Sequence, residues 1–147
     1  MQRIKLPRYL VLSALTIGLG VGLSASDEVT KKVKKVPAQS TTSVDGKTLF
    51  REYCAVCHGV EGRGNGPAAE ALKKKPTDLT AISMKNGGKY PEVRVERMIT
   101  GADNVTAHGA GDMPVWGPIF RNMGGNPEME KVRVFNLVKY IEQIQAK

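Results

Sequence analysis

The 147-residue sequence predicts an all-α domain of short helices joined by long loops. Three observations predict it. Apolar residues recur at helical spacing near residue 50 and again near residue 140. Stretches rich in Gly and Pro lie between these segments. No run alternates apolar and polar residues for long enough to make a strand. With 41% hydrophobic and 24% charged residues, most of the chain can fold. Its length leaves no room for a two-domain enzyme or an αβ barrel. Only 5% of residues are aromatic. Long Gly/Pro loops and short helices bury little by themselves, so this composition asks for an apolar group bound in the middle.

The chain opens with Arg3, Lys5 and Arg8, followed from residue 9 to residue 26 by a stretch with no charge. The small residues Ser24, Ala25 and Ser26 then precede Asp27 and Glu28. This is the layout of a signal peptide over residues 1–26. The alternative is an uncleaved N-terminal anchor. Eighteen residues of helix span roughly 27 Å, just short of the ~30 Å bilayer core. Gly18, Gly20 and Gly22 also weaken a spanning helix. No cysteine lies near the cleavage site, which excludes a lipid-modified N-terminal cysteine. The expectation is an exported, periplasmic protein, soluble or tethered to the inner membrane. Residues 27–43 read as a flexible Lys/Ser/Thr-rich linker. Its run Lys31, Lys32, Lys34 and Lys35 reads as a solvated tether or as a contact for anionic lipid.

The folded domain is expected over residues 44–147. Leu49, Phe50, Tyr53 and Cys57 make a helical stripe, which the Gly-rich stretch 59–67 breaks. Pro67 opens a short helix over 68–75 that stops at Pro76. Pro91 opens another, with Val95, Met98 and Ile99 on one face and Gly101 just past its end. Residues 101–126, rich in Gly and Pro around Met113 and Trp116, read as a loop. Asn126 and Pro127 suit the cap and first turn of a final helix running to about Gln145. Val134, Leu137, Val138, Ile141 and Ile144 form its buried stripe.

Residues 54–58 read Cys-Ala-Val-Cys-His. C-x-x-C-H is the attachment signature for c-type haem. Each thiol adds across one haem vinyl group to form a thioether, and two cysteines one turn apart reach both vinyls. The adjacent histidine supplies an axial nitrogen. Other readings of these residues are weaker. A disulfide between Cys54 and Cys57 closes too short a loop to stabilise much. A thioredoxin-type dithiol wants a βαβ context. A zinc site would need Cys54, Cys57, His58 and His108 at an unusual spacing. The +8 formal charge permits nucleic acid, anionic lipid or an acidic protein as partner. Export and the lack of aromatic–basic interleaving argue against nucleic acid.

Over residues 44–146 the sequence resembles the class I cytochromes c, small monohaem electron carriers. The resemblance rests on C-A-V-C-H at 54–58, G-N-G-P at 64–67, G-D-M-P-V-W-G at 111–117 and L-V-K-Y-I at 137–141. A motif near the domain start argues against the four-helix cytochromes of the c-prime type. The resemblance implies a cytochrome c fold around one haem c, attached through Cys54 and Cys57, with His58 as an axial ligand. It implies Met113 as the sixth ligand, in a loop that Pro114 stiffens. Met98 reads as core packing, while Met84 and Met123 are not excluded by spacing, and His108 is a rival axial ligand in the same loop. The resemblance assigns the Pro67 carbonyl to the His58 ring N–H, which would fix the imidazole. Trp116 is expected to bond a propionate or pack on the porphyrin. Gly46 and Phe50 are expected to cross Leu137 and Tyr140. The implied function is electron transfer between redox proteins, not enzymatic catalysis. The alternatives are a haem subunit of a dehydrogenase or reductase complex, and a ligand-binding haem with an open distal site. Lys73, Lys74 and Lys75 read as a docking patch for an acidic partner or as a solvated helix end.

Overall fold

A computed structural model of the chain describes residues 37–102, 113–123, 126 and 128–147. The proposed signal segment, the Lys31–Lys35 run and His108 lie outside the described residues. Among the described residues there are helices and no strands, in accord with the expected fold class.

The chain enters the domain through an unbroken helical column. It comprises α1 (Gly46–Leu49), a π-helical turn (Phe50–Cys54) and α2 (Ala55–His58). Asp45 caps it, its carboxylate accepting from the Thr48 N–H at 2.7 Å. The wider turn is closed by the Ala55 N–H donating to Phe50 O. The predicted stripe faces inward, with Leu49 and Phe50 fully buried and Tyr53 nearly so. The column stops at Gly59, whose φ of 79° suits glycine. The loop then folds back, and the N–H groups of Gly64, Gly66 and Ala68 donate to the carbonyls of His58, Cys57 and Val56. The orphan acceptors at the end of α2 are thereby satisfied.

The helix predicted over 68–75 does not form. Only a 3-10 turn, Ala69–Ala71, is present. Ala69 alone in that turn is buried, and Lys73, Lys74 and Lys75 are exposed, so no apolar face stabilises a longer helix. Past Pro76, two pieces appear that the sequence reading missed: a 3-10 turn at Leu79–Ala81 and α3 (Ile82–Lys85). Asp78 nucleates them by accepting from Thr80 N–H at 2.9 Å and Thr80 Oγ1 at 2.6 Å. The next helix, α4 (Glu92–Thr100), agrees with expectation and ends at Gly101 in the left-handed region.

Part of the region read as a loop is helical. α5 (Trp116–Asn122) carries Gly117 and Pro118 in its first turn, where the missing proline N–H costs nothing. Trp116, Gly117 and Phe120 are buried, so packing overrides local propensity here. The last helix, α6 (Glu128–Gln143), is capped by Asn126, which accepts from the Glu128 N–H at 2.9 Å. Val134, Leu137, Val138 and Ile141 are buried as predicted.

α1 and α6 cross at Gly46, where a Cβ would run into the Asn136 carbonyl oxygen. Beside this contact the rings of Phe50 and Tyr140 lie 5.2 Å apart. Residues 39–43, the last part of the expected flexible linker, are tied to this core. The Tyr53 hydroxyl donates to Gln39 O at 2.7 Å, and Arg133 donates to Thr41 O and Ser43 O. Among the described residues, no helix is long and apolar enough to cross a membrane.

Candidate haem site

A cavity of about 350 Å³ opens beside the helical column. Cys54, Cys57 and His58 line it, and so do residues of α4 and the segment leading into α5. The wall is mostly apolar, as the loop-rich composition requires.

Cys54 and Cys57 are not joined in a disulfide. Burial, with a smaller contribution from Cys57, pushes the Cys54 thiol up to about 12. A dithiol redox centre needs the opposite shift, so the site does not suit that chemistry. Among the described residues, no cluster of three or more His, Cys, Asp or Glu side chains is placed to hold a bare metal ion.

His58 is fixed by a carbonyl, though not the expected one. Its Nδ1–H donates to Thr77 O at 3.0 Å. Pro67 is exposed and does not line the cavity. The Gly-rich loop turns Pro67 outward, and the segment after Pro76 supplies the acceptor instead. A carbonyl can only accept, so the proton sits on Nδ1 and the Nε2 lone pair is left for a metal. Burial lowers the His58 pKa, and the Thr77 bond offsets part of that effect. The imidazole is thus neutral near pH 7, the form that ligates iron.

Met113 lines the cavity, 36% exposed. Met84 and Met123 lie away from the cavity. Met84 is 68% exposed and Met123 is buried in the core at 3%, and neither lines the cavity. Met98, assigned from the sequence to core packing alone, does line it, from α4. Trp116 lines the cavity while stacking on Phe120 at 5.6 Å and tilting against Tyr53 at 5.5 Å. Its place is that of a packed wall.

Among the described residues the charges on the wall carry one sign: Lys74, Lys75, Lys85 and Arg94 contribute to the lining, and no Asp or Glu does. Haem is a flat apolar ring bearing two carboxylates, so an apolar cavity with a cationic border fits it. Two thiols at the attachment spacing, a neutral imidazole and a thioether complete the match.

The cytochrome c family profile matches residues 43–145. The chain belongs to the cytochrome c family. Its start at residue 43 falls where Arg133 takes hold of the lead-in segment. This cytochrome c is also 31% identical, over 121 residues, to a polyvinylalcohol dehydrogenase of Sphingopyxis sp. (strain 113P3). That alignment covers 73% of this chain and 18% of the relative, so the chain spans about a fifth of the relative's length. No solved structure matches the chain. Family membership makes this an all-α cytochrome c domain that carries haem c and transfers electrons. The sequence reading named Cys54, Cys57, His58 and Met113, and all four line the cavity. It missed Thr77, Met98 and Arg94, which no local motif marks.

Proposed function

We propose that the protein is an exported monohaem cytochrome that carries single electrons between redox proteins, with His58 and Met113 as the axial ligands. The observation that carries this reading is the shared cavity. The C-x-x-C-H residues and Met113 line the same space, with His58 already oriented by Thr77. The single C-x-x-C-H motif supports one haem. When bound, haem supplies the one-electron chemistry of its iron. The chain's residues do the rest. Cys54 and Cys57 hold the ring covalently, His58 offers Nε2, and Met113 offers a soft neutral sulfur. Such a thioether favours the ferrous state and raises the potential above that of a bis-His site. With both His58 and Met113 holding the iron, no position would be left for a substrate, which argues for a carrier over a ligand-binding haem. The protein as purified should show haem that stays with the chain on denaturation and gives a c-type spectrum in alkaline pyridine. A chain without covalent haem would overturn the reading.

A second reading has one observation behind it. The relative with a similar segment is named a dehydrogenase, and this chain matches only a fifth of it. The cytochrome would then pass electrons from a catalytic partner. Co-purification with a larger subunit at fixed stoichiometry would favour this reading. A protein that purifies alone would favour the free carrier. The cationic border at Lys74 and Lys75 suits an acidic partner in either case.

A further inference from the structure

Arg133 is the residue that the site does not explain. It sits on α6 and is only 2% exposed. A buried charge needs compensation. It donates to four backbone carbonyls from two separate segments. Nη1 donates to Phe120 O at 3.0 Å and Met123 O at 3.2 Å, at the C-terminal end of α5. Nη2 donates to Thr41 O at 2.9 Å, and Nε to Ser43 O at 3.2 Å, in the lead-in segment. The guanidinium is the only side chain type with a rigid fork of donors able to serve so many acceptors at once. Its charge also meets the negative end of the α5 dipole.

α5 matters because of what is attached to it. Only Pro114 and Val115 separate Met113 from Trp116, the first residue of α5. A proline in so short a connection leaves little slack. Where α5 sits therefore decides where the Met113 sulfur sits.

We infer that Arg133 is a positioning residue for Met113, holding α5 so that the thioether stays in the cavity. The inference rests on the reading of Met113 as an axial ligand. Arg133 is not among the residues lining the cavity, and the bonds that bear on Met113 are those to α5.

External imidazole competes with a weak axial thioether, so its affinity for the ferric protein reports how firmly Met113 is held. Arg133→Met keeps much of the side-chain volume and removes the donors. We expect it to bind imidazole at least tenfold more tightly than the unmodified protein. Arg133→Lys, which keeps the charge and loses the fork, should fall between the two. Asn136→Ala is the control. Asn136 donates to Val44 O on the lead-in side and not to α5. It should lower the urea midpoint without changing imidazole affinity. Met113→Ala separates the two levels of the argument. If it leaves imidazole affinity unchanged, the axial assignment fails and the inference with it. If Met113→Ala tightens imidazole and the Arg133 variants do not, the inference alone fails. Should neither Arg133 variant fold, the unmodified protein decides. Saturating imidazole should speed hydrogen exchange at the Met123 amide, which bonds Ile119 O at the end of α5, and not at Leu49 in α1. Unchanged exchange at Met123 would overturn the inference.

Discussion

His58 and Met98 show what a sequence conveys about single residues. The motif names His58 as a ligand. It does not name Thr77, because any residue's carbonyl can accept the Nδ1 proton and only the path of the loop selects one. The resemblance to the class I cytochromes points to Pro67, but the chain takes 19 residues, not nine, to return to the ring. Met98 fits helical periodicity, so spacing alone files it with the core. The cavity lies on that same face of α4, so Met98 meets it alongside Val95 and Ile99. This gives a prediction. Met98→Leu conserves volume and should cost less than about 1.5 kcal/mol in urea unfolding. It should leave the reduction potential and the ferric long-wavelength band unchanged. Loss of that band in Met98→Leu would make Met98 the axial ligand.

Among the helices, those with a buried face of their own were legible. α1, α4 and α6 have periodic apolar stripes, and the structure places them as expected. α5 was not legible, because Gly117 and Pro118 signal a loop locally while burial of Trp116 and Phe120 makes the helix. The Lys73–Lys75 stretch failed in the other direction, helical in propensity with nothing to bury. The α1–α6 crossing yields a direct test. Gly46→Ala places a methyl against the Asn136 carbonyl, which must move. Overpacking of this kind costs about 1–3 kcal/mol, readable as a lower urea midpoint at unchanged slope. The caps predict acid behaviour. Hydrogen bonds from Thr48 lower the pKa of Asp45, and those from Thr80 lower that of Asp78. A carboxyl with a lowered folded pKa stabilises the protein above its ordinary value. That contribution is lost as pH falls from the ordinary value through the folded one. Asp78→Asn should therefore lose stability at neutral pH and show a shallower decline below about pH 4 than the unmodified protein. Parallel declines would refute the assignment of this titration to Asp78.

For the whole molecule, the shortage of aromatic residues and abundance of loops pointed to an apolar group at the centre, and the cavity beside the helical column answers it. Which charges border that cavity was illegible, because Lys74, Lys85 and Arg94 come together only through the fold. The tether also differs from its reading. Gln39, Thr41 and Ser43 accept bonds from Tyr53 and Arg133, so this part of the linker is held against the core. If residues 1–26 are a signal, intact-mass measurement of the purified protein should show them missing. If they are an anchor, the full chain should fractionate with membranes. A full-length, soluble chain would exclude both. Cys57→Ser combined with His58→Ala removes one covalent hold and one axial ligand, and should leave little cooperatively folded protein. A native-like helical spectrum with a sharp melt would show that the haem is not the organising centre. The central claim, that His58 and Met113 together hold an electron-carrying haem iron, is tested most directly by the ferric absorption spectrum of Met113→Ala. The account predicts that the unmodified ferric protein shows the long-wavelength charge-transfer band of thioether ligation and that Met113→Ala lacks it, with covalent haem retained. Persistence of that band in Met113→Ala would contradict it.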